Sequence, residues 1–112
     1  MKWTILAIVA SLIAVPARAQ QQSSQNTVKG FLGYCRGDRL FQCSIIVSSN
    51  ANDDPKCLRR FESDDDKEFE KLGIELAQSV VTWLAARPDI QNQEASSAIK
   101  TTLTALYSCK LK

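Results

Sequence analysis

Four cysteines, Cys35, Cys43, Cys57 and Cys109, constrain this 112-residue chain more than any other feature. An even number of thiols in a short chain reads as paired cross-links if the compartment is oxidising. Structural zinc sites set two cysteines about two to four residues apart, whereas the nearest pair here is eight apart. No Cys-x-x-Cys occurs, so a thioredoxin-like redox role lacks its motif. Two disulfides are the expected state, provided the chain leaves the cytosol.

The first residues predict that it does. Lys2 precedes an apolar run, Ile5 to Ala10 with Leu12 to Val15, which Pro16 breaks before Ala17-Arg18-Ala19. That is the charge, apolar and small-x-small order of a secretory signal, with cleavage expected after Ala19. The run falls short of the roughly 20 residues a membrane span needs. The residue directly after the cleavage site is Gln20 and not cysteine, so a lipid anchor is not expected. Residues 1–19 are therefore read as a cleaved signal, 20–26 as a polar, disordered leader and 27–112 as the helical domain, in a periplasmic protein. Lys2 and Arg18 carry the whole formal excess of +2, so the cleaved chain holds twelve basic and twelve acidic residues. A balanced chain has no net field to attract nucleic acid or an anionic membrane. Neither is an expected partner, and a homodimer is permitted without being required.

Helical spacing dominates the remainder. Val28, Phe31, Leu32 and Cys35 recur every three or four residues behind two competent caps, Asn26 and Thr27. Arg36-Gly37-Asp38 reads as a turn with Asp38 capping the next helix. Leu40 to Ala51 is ambiguous. Ile45-Ile46-Val47 could form a buried strand, but Leu40, Cys43, Val47 and Ala51 share a helical face, and a lone strand would have no partner. Helix is the expectation there, and Asn50 to Lys56 reads as a loop. Ser63 followed by Asp64-Asp65-Asp66 marks a helix start. Phe69, Leu72, Leu76, Val80, Trp83 and Leu84 then form a stripe that Pro88 ends. A last helix is expected to open at Gln91 or Asn92 and to bury Ala95, Ala98, Ile99, Thr102, Leu103, Leu106 and Cys109 on one face. The predicted fold class is all-α: a small four-helix domain in an up-down arrangement, stapled by two disulfides.

In such a bundle the end of the first helix lies beside the start of the second, and the start of the third beside the end of the fourth. Cys35–Cys43 and Cys57–Cys109 are the expected bridges. Joining Cys43 to Cys57 would need the intervening chain to run back along a helix. That pairing is disfavoured but stays open.

Chemistry is conspicuous by what the chain lacks. There is no histidine, which removes Ser-His-Asp and Cys-His machinery and the commonest metal ligand. Asp53-Asp54 and Asp64 to Asp66 miss the spacing of a calcium loop. No phosphate-binding glycine loop occurs, and the aromatics are too scattered for a stacking platform. Neither an enzyme nor a bound cofactor or metal is expected.

Several segments together carry a likeness: Phe31-Leu32-Gly33-Tyr34-Cys35, Phe41-Gln42-Cys43, Cys57 before the long helix, Val80-Val81-Thr82-Trp83-Leu84 with Arg87-Pro88-Asp89, and Ala105-Leu106-Tyr107-Ser108-Cys109. In spacing and character they resemble the Rap/Tai family of immunity proteins, periplasmic helical proteins that neutralise peptidoglycan amidases delivered by type VI secretion. The resemblance spans Val28 to Cys109. It implies a disulfide-bridged inhibitor, dimeric in some forms, that occludes the active-site cleft of an amidase toxin. Such an inhibitor would present a protruding polar segment, and Asp53, Asp54, Lys56, Arg59, Arg60 and Phe61 are the candidate contact residues, since Arg and aromatic anchors suit hot spots. The competing reading is a periplasmic helical module with a structural or stress-response role and no toxin partner.

Overall fold

The computed structural model describes residues 26–112, and four α-helices carry the fold: α1 (Val28–Tyr34), α2 (Leu40–Ser49), α3 (Asp66–Ala85) and α4 (Ala95–Tyr107). Three 3-10 segments, Gly37–Arg39, Pro55–Phe61 and Pro88–Ile90, occupy the connections. The signal expected at 1–19 lies outside the described residues, as does all of the expected leader except Asn26. That one residue belongs to the domain. Its carbonyl accepts the Ala95 N–H at 2.6 Å, so the domain includes one residue more than expected.

Thr27 caps α1, its hydroxyl accepting the Gly30 N–H at 3.1 Å. The first amides of a helix have no partner inside it. Here Val28 and Lys29 donate theirs to the carbonyls of Gln93 and Gln91. The start of α1 is thus tied to the start of α4. Asp38 does not cap α2. It sits inside the 3-10 turn that runs directly into the helix through Arg39, whereas a capping residue needs extended backbone. Gly37, at φ 58°, makes that turn possible.

Leu40 to Ser49 is helical, and Cys43, Val47 and the following Ala51 are buried as the helical face requires. The chain after it differs from a plain loop. Pro55, whose fixed φ suits a helical first position, starts a 3-10 helix that continues to Phe61. The start of α3 also moves. Asp65, not Ser63, is its cap, accepting the Glu68 N–H at 2.9 Å, while Ser63 accepts the Asp65 N–H at 3.2 Å. A run of three aspartates offers rival caps, and Ser63 bonds too close in sequence to reach the first turn. The stripe behind the cap buries Gly73, Leu76, Ala77, Val80 and Leu84.

The last helix opens at Ala95, three or four residues later than expected. Gln91 instead serves the preceding helix, its side-chain amide donating back to the carbonyls of Leu84 and Arg87 at 3.2 and 3.1 Å. These carbonyls, at and just beyond the C-terminus of α3, also accept the backbone amides of Arg87 and Ile90, so the Gln91 side chain adds a second bond to each. Ala95, Ala98, Ile99, Thr102 and Leu103 are buried on α4, but Leu106 faces outward.

Both disulfides form as the sequence predicts, Cys35–Cys43 with Cα atoms 5.7 Å apart and Cys57–Cys109 at 5.2 Å. Neighbours α1–α2 and α3–α4 are antiparallel. Phe41 meets Phe69 edge-on at 5.8 Å, and Phe41 and Ser44 lie against Gly73, so α2 and α3 run in the same direction, and the expected up-down alternation is broken there because the connection between them is long enough to cross the domain. Residues 50–65 therefore return along the domain, beside α4, before α3 begins. The α2–α3 approach is close because Gly73 has no side chain. A Cβ there would stand 2.8 Å from the Ser44 hydroxyl and 3.2 Å from the Phe41 ring. One cluster of buried residues, from Val28 and Phe31 through Leu76, Val80 and Leu84 to Ile99 and Leu103, unites the four helices. Among the described residues no helix is long and apolar enough to cross a membrane, and no buried side-chain polar atom lacks a hydrogen bond.

Candidate partner-binding surface

The returning segment is pinned to the end of α4 and the C-terminal tail at four points. Leu58 turns into the core while Cys57 bonds to Cys109. The Asp54 carboxylate accepts the Lys110 N–H at 2.9 Å. Phe61 packs edge-on against Tyr107 with centroids 5.2 Å apart, and the Arg60 guanidinium lies over the same ring at 5.1 Å. A cation over an aromatic face gains roughly 0.5–1 kcal/mol at an exposed site.

The tail reaches this position because Ser108 adopts left-handed backbone at φ 57°, reversing the chain after α4. Thr104 ties the reversal down, its hydroxyl donating to the carbonyl of Cys109 at 3.1 Å. Beyond it Cys109 and Leu111 pack on the core while Lys110 and Lys112 point to solvent. Lys100 Nζ donates to the Lys112 carbonyl at 3.3 Å and holds the end of the tail to α4. The result is a surface made from two stretches of chain about fifty residues apart in sequence.

The candidate contact residues divide on this surface. Asp54 and Phe61 are occupied in building it, and Arg60 is shared between Tyr107 and solvent. Asp53, Lys56 and Arg59 are exposed, and their side chains make no hydrogen bond or ion pair among the described residues. Tyr107, Lys110 and Lys112 belong to the same surface but do not stand out in a linear reading. The pairing of Cys57 with Cys109 is the one sequence signal that could have located them, since it places their neighbours side by side.

A second concavity of about 770 Å³ lies between α1, α2 and the start of α4, with Phe31, Tyr34, Ile46 and Ile99 among its walls. Its polar rim is engaged internally. Ser96 donates to Asn50 at 2.7 Å, Ser97 to the Glu94 carboxylate at 3.3 Å, and the Asn26 carbonyl is taken by Ala95. Its lining is mixed, with Asn26, Asn50, Glu94 and Ser96 beside the apolar walls.

What the molecule can do chemically follows from what remains. All four thiols are bridged, and among the described residues no cluster of three or more His, Cys, Asp or Glu could hold a metal. Bridged thiols are the stable form in an oxidising compartment. The accessible groups are amines, guanidines, carboxylates and hydroxyls on a fixed surface, which suit recognition. The sequence matches no family model, and comparison with curated proteins and with solved structures returns no match.

Proposed function

We propose that this protein acts by binding, as a periplasmic immunity protein that occludes the active site of a peptidoglycan amidase effector. The reading rests on one observation, the segment Asp53 to Arg60 clamped to the tail with Lys56 and Arg59 exposed and without an ion-pair partner among the described residues. Binding surfaces concentrate their energy in a few anchors, with Arg prominent among them. A segment already fixed in place loses less entropy on association. The likeness of the cysteine-bearing and Trp83-to-Asp89 segments to the Rap/Tai family supports the choice of target. Export by residues 1–19 would bring the protein to the compartment where such a toxin acts, and would let both bridges form. On this reading the protein is not an enzyme.

The test is inhibition. Oxidised protein lacking residues 1–19 is mixed with each peptidoglycan amidase encoded in its own genome, and release of cleaved muropeptides is followed. One amidase is expected to be silenced at equimolar inhibitor. Full activity of all of them in its presence overturns the proposal.

A further inference from the structure

We infer that the segment around Arg59 and the C-terminal tail act together as one docking surface, and that its occupant is a protein presenting a carboxylate-rich face. The inference rests on the binding reading above and goes beyond it by adding the tail and naming the partner's chemistry. Lys56, Arg59 and Arg60 come from the 3-10 helix and Lys110 and Lys112 from the tail, with Tyr107 seated beneath Arg60. The Cys57–Cys109 bridge sets the two stretches side by side. Neither Lys56 nor Arg59 has an ion-pair partner among the described residues. The adjacent Asp53 and Asp54 keep their charge, with Asp54 accepting the Lys110 amide, and the cations outnumber them on this surface.

This is charge segregation inside a chain that is balanced overall once Lys2 and Arg18 are set aside. After Glu94 the sequence contains no acid and three lysines, whereas Glu62 to Glu75 holds seven acids and two lysines. The acidic stretch begins immediately after Phe61, and α3 starts at the end of the domain where α4 finishes. That arrangement decides between occupants. An anionic bilayer or polymer presents one sign everywhere and would meet Asp64, Asp65 and Asp66 as well as the cations. A folded protein can set carboxylates against the lysines and arginines and leave the acidic turn uncovered, which is how charge complementarity selects partners.

The experiment is a heteronuclear NMR titration of the oxidised protein at low ionic strength with two probes, hexaglutamate peptide and phosphatidylglycerol vesicles. The peptide is expected to shift resonances at Lys56, Arg59, Arg60, Tyr107 and Lys110, with the effect fading as salt screens it. Vesicles are expected to leave them in place. Arg59→Glu on one stretch and Lys110→Glu on the other should each weaken the peptide by roughly threefold to tenfold. A peptide that moves nothing, a response indifferent to Lys110→Glu, or vesicles binding more tightly than peptide would each overturn the inference. The two proposals fail separately. Amidase inhibition that survives both charge reversals sinks this surface and spares the binding reading; a peptide response without inhibition of any amidase does the opposite.

Discussion

The two disulfides are the same bond put to different uses. Cys35–Cys43 spans eight residues and both its residues are buried, at 3% and 0% exposure, inside the cluster where α1 turns into α2. Cys57–Cys109 spans 52 residues and joins two stretches outside the α-helices, with Cys57 only half-buried. Around the first, helices pack on every side and the bridge adds to a structure that apolar burial already favours. Around the second, the chain is a short 3-10 helix and a five-residue tail, elements with little apolar area of their own. A cross-link matters most where the surrounding hydrophobic contacts are fewest, and that is where the candidate binding residues lie.

The largest expected effect would break this contrast if it failed to appear. On the chain-entropy account, replacing Cys57 and Cys109 by alanine costs about 4 kcal/mol, and replacing Cys35 and Cys43 about 2.5 kcal/mol. Denaturant titration of the two double variants checks the order. Equal losses would mean that denatured-state structure, not loop length, governs both bridges. Gly73→Ala sharpens the comparison from the helical side. A glycine inside an exposed helix gains up to about 1 kcal/mol on becoming alanine. Here the new methyl would push α2 off α3, and a net loss of about 1–3 kcal/mol is expected by thermal denaturation. A stabilised variant would show that the α2–α3 contact yields easily. The smallest effect has the opposite sign. Ser108→Gly relieves left-handed backbone in a non-glycine residue, and should raise stability by up to about 1 kcal/mol while leaving the tail in place, as measured by unfolding and by amide protection at Cys109.

Periodicity made the four helices legible, and it did so because burying a stripe of side chains is a local pattern that repeats every three to four residues. Ile45-Ile46-Val47 shows the limit of reading composition. Its β-branched character suggests a strand, yet Val47 is buried on a helix and Ile45 remains 55% exposed. The helix ends were less legible. Ser63, Asp38 and Gln91 all have the chemistry of caps, but capping depends on which amide or carbonyl the fold brings within reach. Tertiary placement decides that, as when Gln91 turns back to serve α3. Of the candidate surface, Lys56, Arg59 and Arg60 were visible as parts of a polar segment with arginine anchors. Their companions Tyr107, Lys110 and Lys112 were not, since nothing local in a C-terminal Lys-Leu-Lys announces what it lies beside.

By itself the amino-acid sequence determined the all-α class and the buried stripe of the long helix, and it favoured the pairing of the cysteines that forms. Each follows from short-range spacing or from which chain ends an antiparallel pair must bring together. Only the tertiary structure decided that α2 and α3 run the same way, that residues 50–65 return along α4, and that the tail reverses at Ser108 to meet them. Those outcomes depend on side-chain fit across the core, such as the space at Gly73, and on contacts between residues some fifty positions apart, for which a linear pattern carries no signal.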